Sequence, residues 1–388
     1  MATPETPLTT PLCPYFGSCG GCSAQHIDYS LQLENKKKAL ARSLRLPEEQ
    51  ITIFADQPYQ YRNRMDFIFH PLGLGFREKD KWWKIVDVEA CAISNDSLNV
   101  LLKEVRSFFQ HNLQQFDVFD IKKKQGTFRY AVIRTPAQDS SVSFMLNSDS
   151  TKLEEATALI EAFAKTSTAQ NILVAYAPCD TEISISEDFF VVKGKDVIKE
   201  TLLGKTFWYP IQGFFQNNTV MAEKMQAYVN TLLKSHQTQN AHLLDLYGGV
   251  GCFGIINAAL FKSVVIVESV KPSIDQAEKN IQENKIANAQ AIVLDAAQLK
   301  KLTLPKPLFV ITDPPRSGMH PKTIEQLNIL QPEVLIYVSC NIDQLGKDIP
   351  KFKNYQLKSA ALFDFFPQTN HAEAVVELVQ LKKERMVV

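Results

Sequence analysis

The sequence predicts an α/β protein of two domains, in which an N-terminal α+β domain precedes a C-terminal domain with a mostly parallel sheet. Three observations predict this fold class. The chain has 388 residues, more than one hydrophobic core usually supports. After residue 221, apolar runs alternate with helical stretches, as is typical of the βαβ units of a Rossmann-like sheet. Before residue 210, short strand-like runs follow one another between turn residues.

The domain boundary follows from this change of rhythm. We predict one domain over residues 1–210 and a second over residues 211–388. The first has helix candidates at 29–45 and 97–114, and its strands are expected to be antiparallel. The second is expected to be doubly wound, so its ligands should bind beyond the carboxyl ends of its strands.

Composition and charge exclude several classes of protein. Hydrophobic residues make up 45% of the chain and charged residues 22%, which is typical of globular proteins. No apolar run approaches the roughly 20 residues of a membrane span, and the first residues lack the features of a secretory signal. Basic and acidic residues both number 42, so any site for a polyanion must be local. We expect a cytoplasmic protein with no membrane contact and no obligatory protein partner.

Three of the seven cysteines are clustered near the start of the chain, in CPYFGSCGGC. These are Cys13, Cys19 and Cys22, and Cys91 follows much later. An odd number of cysteines without an export signal argues against a disulfide framework. Clustered thiols with one distant partner suit a metal site, and thiolate ligands favour zinc or an iron–sulfur cluster. The spacing does not choose between these two.

Acidic residues stand at the ends of successive strands in the second half. The first strand leads into DLYGGVGCFG, whose glycines, Gly249 among them, permit a ligand to approach the backbone closely. The next three strands end at Glu268, Asp295 and Asp313. Such carboxylates predict a nucleoside-containing cofactor, because they accept hydrogen bonds from ribose hydroxyls. The loop reads G-x-G-x-x-G at Gly249, Gly251 and Gly254, a spacing that suits NAD as well as S-adenosylmethionine, and of the two we expect S-adenosylmethionine.

A lone thiol closes the fifth of these strands, in YVSCN. Cys340 lies beside the strand that ends in DPPRSG, and a helix that starts after it is expected to lower its pKa. The segment FPQTNHAEAV then brings Glu373 to the start of the last strand. A methyl donor, a thiolate and a carboxylate suit methylation of C5 of uracil, in which the thiolate adds to C6 and a base removes the C5 proton. We predict Cys340 as the nucleophile and Glu373 as the base.

These motifs resemble those of the RNA uracil-C5 methyltransferases of the bacterial 23S rRNA and tRNA type. The resemblance covers nearly the whole chain, through CPYFGSCGGC, YRNRMDF, GFFQNN, DLYGGVGCFG, DPPRSG, YVSCN and FPQTNHAEAV in family order. It implies that four residues hold a [4Fe–4S] cluster: Cys13, Cys19, Cys22 and Cys91. It implies that four residues contact S-adenosyl-L-methionine: Gln216, Tyr247, Glu268 and Asp313. It gives Cys340 and Glu373 the roles that the chemistry predicts.

The resemblance also implies an RNA partner. It is to the shorter members of the family, since only twelve residues precede Cys13 where many members begin with a small β-barrel RNA-binding domain. The substrate is expected to be rRNA or tRNA, with the target uridine flipped out of a loop, because pairing within a helix hides C6. Four aromatic residues are candidates for stacking on unpaired bases, although each is more commonly found in a core: Phe16, Tyr61, Trp82 and Trp83. Arg62 and Arg64 are candidates for contacting phosphate.

Other functions stay open from the sequence. An amino-group RNA methyltransferase would use DPPR to orient an exocyclic amine and would not need the Cys340 thiol. A non-catalytic iron–sulfur RNA-binding protein would not bind S-adenosylmethionine. A nicotinamide oxidoreductase is a more distant alternative. The sequence does not distinguish rRNA from tRNA.

Overall fold

The computed structural model describes residues 8–71, 73–111 and 117–381. Within them lie a seven-stranded sheet, an eight-stranded sheet and a two-stranded hairpin. The strands, in chain order, are β1 (Ile51–Phe54), β2 (Arg64–His70), β3 (Gly73–Glu78), β4 (Lys81–Asp87), β5 (Phe128–Arg134), β6 (Ser141–Asn147), β7 (Asn171–Ala177), β8 (Phe189–Lys193), β9 (Val197–Leu202), β10 (Lys205–Pro210), β11 (His242–Leu246), β12 (Ser263–Glu268), β13 (Ala289–Val293), β14 (Leu308–Thr312), β15 (Val334–Ser339), β16 (Tyr355–Phe363) and β17 (Glu373–Gln380).

The α-helices flank these sheets. In chain order they are α1 (Tyr29–Leu44), α2 (Asp96–His111), α3 (Leu153–Thr166), α4 (Thr219–Lys234), α5 (Cys252–Asn257), α6 (Lys271–Glu283), α7 (Pro321–Leu330) and α8 (Ile342–Asp348). The predicted helices at 29–45 and 97–114 correspond to α1 and α2, except that residues 112–114 lie outside the described residues. In the described part of the chain, no helix is long and apolar enough to cross a lipid bilayer.

The seven-stranded sheet has the order β4-β3-β2-β5-β6-β7-β8. Neighbouring strands are antiparallel, as the sequence predicts, except that β6 and β7 are parallel. The exception arises because α3, a helix that the sequence analysis missed, crosses over between these two strands. Aromatic side chains dominate the core of this sheet, where Phe67, Phe69, Phe128 and Phe144 are almost fully buried.

The eight-stranded sheet has the order β1-β16-β17-β15-β14-β11-β12-β13. Its strands from β11 to β15 are parallel to their neighbours, and β17 runs antiparallel between β15 and β16. Every residue of β14 and β15 is buried, because helices cover both faces of a doubly wound sheet. The predicted mostly parallel sheet is confirmed.

Strand β1 joins this second sheet although it precedes the first one along the chain. It pairs in parallel with β16, with Ile51 opposite Ala360 and Phe54 opposite Phe363. Helix α1, which leads into β1, packs against α8 in the second half. A division of the chain at residue 210 therefore separates β1 from the sheet to which it is hydrogen-bonded. The consequence for the site is that α1 lies close to the end of the sheet that carries it.

Candidate active site

Three predicted residues meet at one end of the eight-stranded sheet. Asp313 follows β14, Cys340 follows β15 and Glu373 begins β17. In the parallel pair β14–β15, Thr312 lies opposite Tyr337. In the antiparallel pair β15–β17, Ser339 lies opposite Ala374, so the register continues to Cys340 beside Glu373. The fold thus brings a thiol and two carboxylates together from three separate strands.

Burial raises the pKa of all three groups, and repulsion from neighbouring carboxylates adds to this effect at Asp313 and Cys340. Glu373 is 4% exposed, and burial raises the pKa of its carboxyl group to about 7. Burial, followed by repulsion from Glu373 and Asp245, raises the pKa of Asp313 well above its ordinary value. No hydrogen bond from the described residues reaches the carboxylate of Glu373 or Asp313. A carboxyl group with a pKa near neutrality suits a general base.

The prediction that a helix N-terminus lowers the pKa of Cys340 is wrong. Burial, Glu373 and Asp313, in that order, raise the pKa of this thiol to about 11. Helix α8 does begin nearby, but Asn341 Oδ1 accepts the hydrogen bond of Gln344 N, at 3.2 Å, so its first turn is capped by the chain itself. The dipole of such a short helix stabilises the thiolate only slightly. Burial and the two adjacent carboxylates destabilise the thiolate more, so the pKa of Cys340 is raised.

Two glycines, one in the loop that follows β11 and one in α5, shape this part of the site. Gly254 N donates to Asp245 Oδ2 at 2.7 Å, and a Cβ at Gly254 would lie 2.7 Å from Ile266 Cγ1. The backbone of α5 therefore packs directly on β12. Gly249 has a φ of +53°, and a Cβ there would meet nothing within 4 Å. The open space at Gly249 is a cradle in which a ligand can contact the backbone, which fits an adenosyl cofactor.

Three further cofactor candidates surround this loop. Glu268 Oε2 accepts from Gly249 N at 3.3 Å, and its Oε1 accepts from Val270 N at 2.9 Å. Asp295 is exposed, and its Oδ1 accepts from Ala297 N at 2.8 Å. Both carboxylates keep lone pairs for ribose hydroxyls. Tyr247 follows β11 with a φ of +60°, and its hydroxyl lies against α7 rather than over Gly249.

The segment GFFQNN connects β10 to α4 and contains Gln216. Its two phenylalanines have opposite environments. Phe215 stacks on Tyr209 with ring centroids 4.2 Å apart, whereas Phe214 is 72% exposed. The sequence analysis missed Phe214 as a candidate, although adjacent aromatic residues in a loop are seldom both buried. An exposed aromatic ring two residues from a predicted cofactor contact suits the stacking of a base.

Arg316 is a second residue that the sequence analysis missed as a functional side chain. It is exposed, and its backbone carbonyl accepts from Asn341 Nδ2 at 3.0 Å. This bond ties the DPPRSG loop to the residue that follows Cys340. The positive charge of the guanidinium partly offsets the raised pKa of Cys340. The same charge adds to the effect of burial, which lowers the pKa of His371. The signal for it was the arginine of DPPR itself.

Residues 364–371, which we call the base segment, lead directly to Glu373 and are held by α1. Lys36 Nζ lies 2.6 Å from Asp364 Oδ1, and both side chains are almost fully buried. The hydroxyl of Tyr29 donates to Asp364 Oδ2 at 2.9 Å. A buried ion pair that is hydrogen-bonded on both sides fixes the backbone around it. The position of the base therefore depends on a helix from the other end of the chain.

The four predicted cluster ligands line one cavity of about 360 Å³ on the seven-stranded sheet: Cys13, Cys19, Cys22 and Cys91. Burial, together with the neighbouring thiols, raises the pKa of Cys22 to about 12. Among the described residues, no group of three or more histidine, cysteine, aspartate or glutamate side chains is arranged to hold a single metal ion. Four thiols around one cavity are a donor set that suits either zinc or an iron–sulfur cluster.

The cysteine segment also touches the base segment. Ser23 N and Ala24 N, which follow Cys22, both donate to Gln368 O at 3.0 Å. Tyr61 is buried beside the cysteines, and its hydroxyl donates to Pro367 O at 3.0 Å. Tyr61 is thus a packing residue, whereas Trp82 and Trp83 are 51% and 46% exposed.

Comparison with known proteins extends these observations. The family model described as tRNA (uracil-5-)-methyltransferase matches residues 28–381. The chain is 33% identical over 367 residues to the tRNA (uracil(54)-C(5))-methyltransferase of Pyrococcus horikoshii, and the match covers 95% of this chain and 85% of that one. It is 30% identical over 381 residues to an RNA methyltransferase of Caldanaerobacter subterraneus, over 94% of this chain and 83% of that one.

A solved structure gives a similar match. The tRNA (uracil-54, C5)-methyltransferase of Pyrococcus abyssi, in complex with S-adenosyl-L-homocysteine, superposes with a TM-score of 0.77 at 29% identity. The match covers 93% of this chain and 86% of that chain.

Proposed function

Because this chain belongs to the tRNA (uracil-5-)-methyltransferase family and is therefore a methyltransferase, we propose that it methylates C5 of a uridine in transfer RNA with S-adenosyl-L-methionine. The printed names of the Pyrococcus relatives give uridine 54 as their target, and we propose the equivalent uridine here. The observation that carries the proposal is the meeting of Asp313, Cys340 and Glu373 at one sheet end.

The chemistry requires a nucleophile, because C5 of uracil does not attack an alkyl group by itself. The Cys340 thiolate forms a bond to C6, and the electron pair of the C5–C6 double bond moves to C5 and O4. Bound S-adenosyl-L-methionine supplies an electrophilic methyl group to C5. Glu373 then takes the C5 proton, the double bond re-forms, and the C6–S bond breaks to return the thiolate.

The raised pKa values fit the order of these steps. Glu373 has a carboxyl pKa of about 7, so it is ionised in a large fraction of molecules at neutral pH and can accept a proton. Cys340 has a pKa of about 11 and is mainly a thiol in the ligand-free protein. A positive charge close to the sulfur favours the thiolate. Arg316 supplies one such charge, and a bound sulfonium supplies another.

Cofactor binding is assigned to the glycine loop and the strand ends around it. In this proposal Glu268, which ends β12, accepts hydrogen bonds from the ribose hydroxyls of the cofactor. Asp295, which follows β13, lies beside its adenine. Gly249 lets the ligand approach the backbone, and Gln216, Tyr247 and Asp313 complete the set that the family resemblance implies. Phe214 stacks on the target base, which must leave its helix or loop to reach Cys340.

The proposed activity is tested with isotope-labelled S-adenosyl-L-methionine and two unmodified transcripts, a tRNA and an rRNA fragment. We expect label in the tRNA, on C5 of one uridine that nuclease mapping and mass spectrometry place in a loop. Replacement of that uridine by cytidine is the matched control and should abolish the incorporation. Label only in the rRNA fragment, or on an exocyclic amine, would contradict the proposal.

We also propose a [4Fe–4S] cluster bound by Cys13, Cys19, Cys22 and Cys91, which assigns the cluster and RNA binding to residues 1–210 and methyl transfer to residues 211–388. The shared cavity and the all-thiol donor set support it. Protein purified without oxygen should contain iron and sulfide in equal amounts and absorb visible light, and Cys91→Ser should lose both. Cys179→Ser, at a cysteine outside this cavity, is the control. Stoichiometric zinc instead of iron would contradict the assignment.

A further inference from the structure

A second cavity opens on the first sheet, away from the cysteines. It has a volume of about 370 Å³, and we call it the tryptophan groove after the residue at its mouth. Its lining comes from β2, β4, β5 and the loop before β5, and it includes Trp83, Lys84, Phe119, Lys122 and Tyr130. It shares no lining residue with the cysteine cavity. It is therefore a separate feature, to which the proposed reaction gives no role.

The aromatic side chains of the groove are presented to solvent. Trp83 is 46% exposed on β4, which is the edge strand of the seven-stranded sheet. Single exposed apolar side chains are common on protein surfaces, but an exposed ring at the mouth of a cavity is available to a ligand. Phe119 is held in place by Arg129, whose guanidinium carbon lies 4.5 Å from the ring centroid. Arg129 itself is buried, and it donates to Pro178 O at 2.6 Å. The groove thus has a fixed aromatic wall.

The charge around the groove is positive. Lys122 Nζ lies 4.7 Å from the centroid of the Trp83 ring, and exposed Lys123 and Lys124 follow it in the chain. Asp120 Oδ1 accepts from Lys122 N at 2.9 Å and from Lys123 N at 3.1 Å, so this carboxylate closes the turn that presents the lysines. The lining contains four cations, Arg77, Lys84, Lys122 and Arg129, against one carboxylate, Asp120. Arg77 and Lys84 form ion pairs with Glu182 and Glu78, so the lysines that follow Asp120 are the cations proposed to contact phosphate.

Exposed aromatic rings interleaved with lysines are the features of a site for unpaired nucleic acid. Bases stack on aromatic faces, and lysines contact the phosphates between them. Protein partners fit less well, because lysine is depleted in protein–protein interfaces. We propose that the tryptophan groove is an additional RNA-binding site, which stacks one unpaired base of the substrate RNA on Trp83 and contacts the phosphates of that RNA through Lys122, Lys123 and Lys124. This inference rests on the proposed function, which supplies the RNA.

The test compares two tryptophans of the same strand. Trp82 is 51% exposed and adjacent to Trp83, but it does not line the groove. The full-length protein carries Trp83→Ala, Trp83→Phe or Trp82→Ala, and its Kd for the unmodified tRNA transcript is measured with its kcat at saturating RNA. We expect Trp83→Ala to raise Kd about tenfold, Trp83→Phe to restore most of the affinity, and Trp82→Ala to have little effect. The kcat should stay unchanged in all three.

Salt dependence provides the second readout. Lys122→Ala should reduce the slope of log K against log salt concentration by about 1, because one phosphate contact is lost. Lys262→Ala, at an exposed lysine of the second half, should leave the slope unchanged. Equal RNA affinity of wild type and Trp83→Ala would overturn the inference, and so would equal weakening by Trp82→Ala and Trp83→Ala. Failure of the wild type to methylate tRNA would instead overturn the proposed function.

Discussion

Gln32 and Gln368 form two hydrogen bonds with each other, and these bonds join α1 to the base segment. Gln32 Nε2 donates to Gln368 Oε1 at 3.0 Å, and Gln368 N donates to Gln32 Oε1 at 3.1 Å. Both side chains are 3% exposed. The backbone oxygen of Gln368 also accepts from the residues that follow Cys22. One buried glutamine thus links α1, the cysteine segment and the loop that carries Glu373.

Loss of this link should slow the reaction more than it weakens binding. Gln32→Ala leaves buried polar atoms of Gln368 without partners, which costs about 1–3 kcal/mol of stability. The base segment should then move, so we expect kcat to fall about tenfold while KM for S-adenosyl-L-methionine stays within about twofold. Gln282→Ala, at an exposed glutamine of α6, is the control. An unchanged kcat in folded Gln32→Ala protein would show that the link does not position the base.

The buried Glu373 carboxyl should make stability depend on pH in a defined direction. Its pKa is raised from 4.5 to about 7, so folding favours the protonated form. This contribution is complete below pH 4.5 and is lost as the pH rises through 7. Glu373→Gln cannot ionise, so its Tm relative to wild type should increase between pH 4.5 and pH 7 and then level off. A pH-independent difference between the two melting curves would contradict this.

The rate of alkylation of Cys340 reports how much of its thiol is ionised. Because its pKa is about 11 in the ligand-free protein, the rate of modification by iodoacetamide should rise about tenfold per pH unit from pH 7 to pH 9.5 without a plateau. S-Adenosyl-L-methionine should accelerate the reaction more than S-adenosyl-L-homocysteine, which lacks the positive charge. Mass spectrometry of the peptide that contains Cys340 separates it from the other thiols. Fast labelling of the free protein at pH 7 would show that the thiolate is already formed.

Cofactor binding should be sensitive to a single methyl group at Gly249. Gly249 and Gly204 both have positive φ, +53° and +74°, and a Cβ at either would meet nothing within 4 Å of the protein. Alanine at either position therefore introduces similar backbone strain, about 1 kcal/mol. Only Gly249→Ala should also weaken S-adenosyl-L-homocysteine, by tenfold or more in calorimetry, because its methyl group occupies the cradle. Equal affinities of the two variants would move the cofactor away from this loop.

Much of the fold is predictable from local sequence pattern. Strands β11, β14 and β15 are largely apolar and buried because both faces of the sheet are covered there, and the carboxyl ends of β12 to β15 lead into the predicted acidic residues and Cys340. The sequence pattern does not assign β1 to the second sheet, because a run of four residues, ITIF, carries no information about its distant partner. Its partner β16 begins about three hundred residues later, and no local signal identifies it.

The site follows the same division between local and long-range information. The residues that end the strands can be predicted from local sequence, because only the strand pattern is needed to identify them. The pKa of Cys340 is not local, because it depends on Glu373, which arrives across the sheet from β17. The helix that follows Cys340 and the two carboxylates, Asp313 and Glu373, were visible in the sequence, but the burial of the thiol and the strength of their repulsion on it were not. The pKa values of such a site can be predicted only when the register of the strands is known.

The most direct test of the account is a covalent trap. Wild type and Cys340→Ala are incubated with S-adenosyl-L-methionine and tRNA that contains 5-fluorouridine, and the products are separated on a denaturing gel. Fluorine cannot be removed as a proton by Glu373, so the thioether between Cys340 and C6 should persist. We predict a protein–RNA band of reduced mobility in wild type that is absent in Cys340→Ala. Methylation of ordinary tRNA without any adduct, or an adduct that persists in Cys340→Ala, would contradict the assignment of Cys340 as the nucleophile.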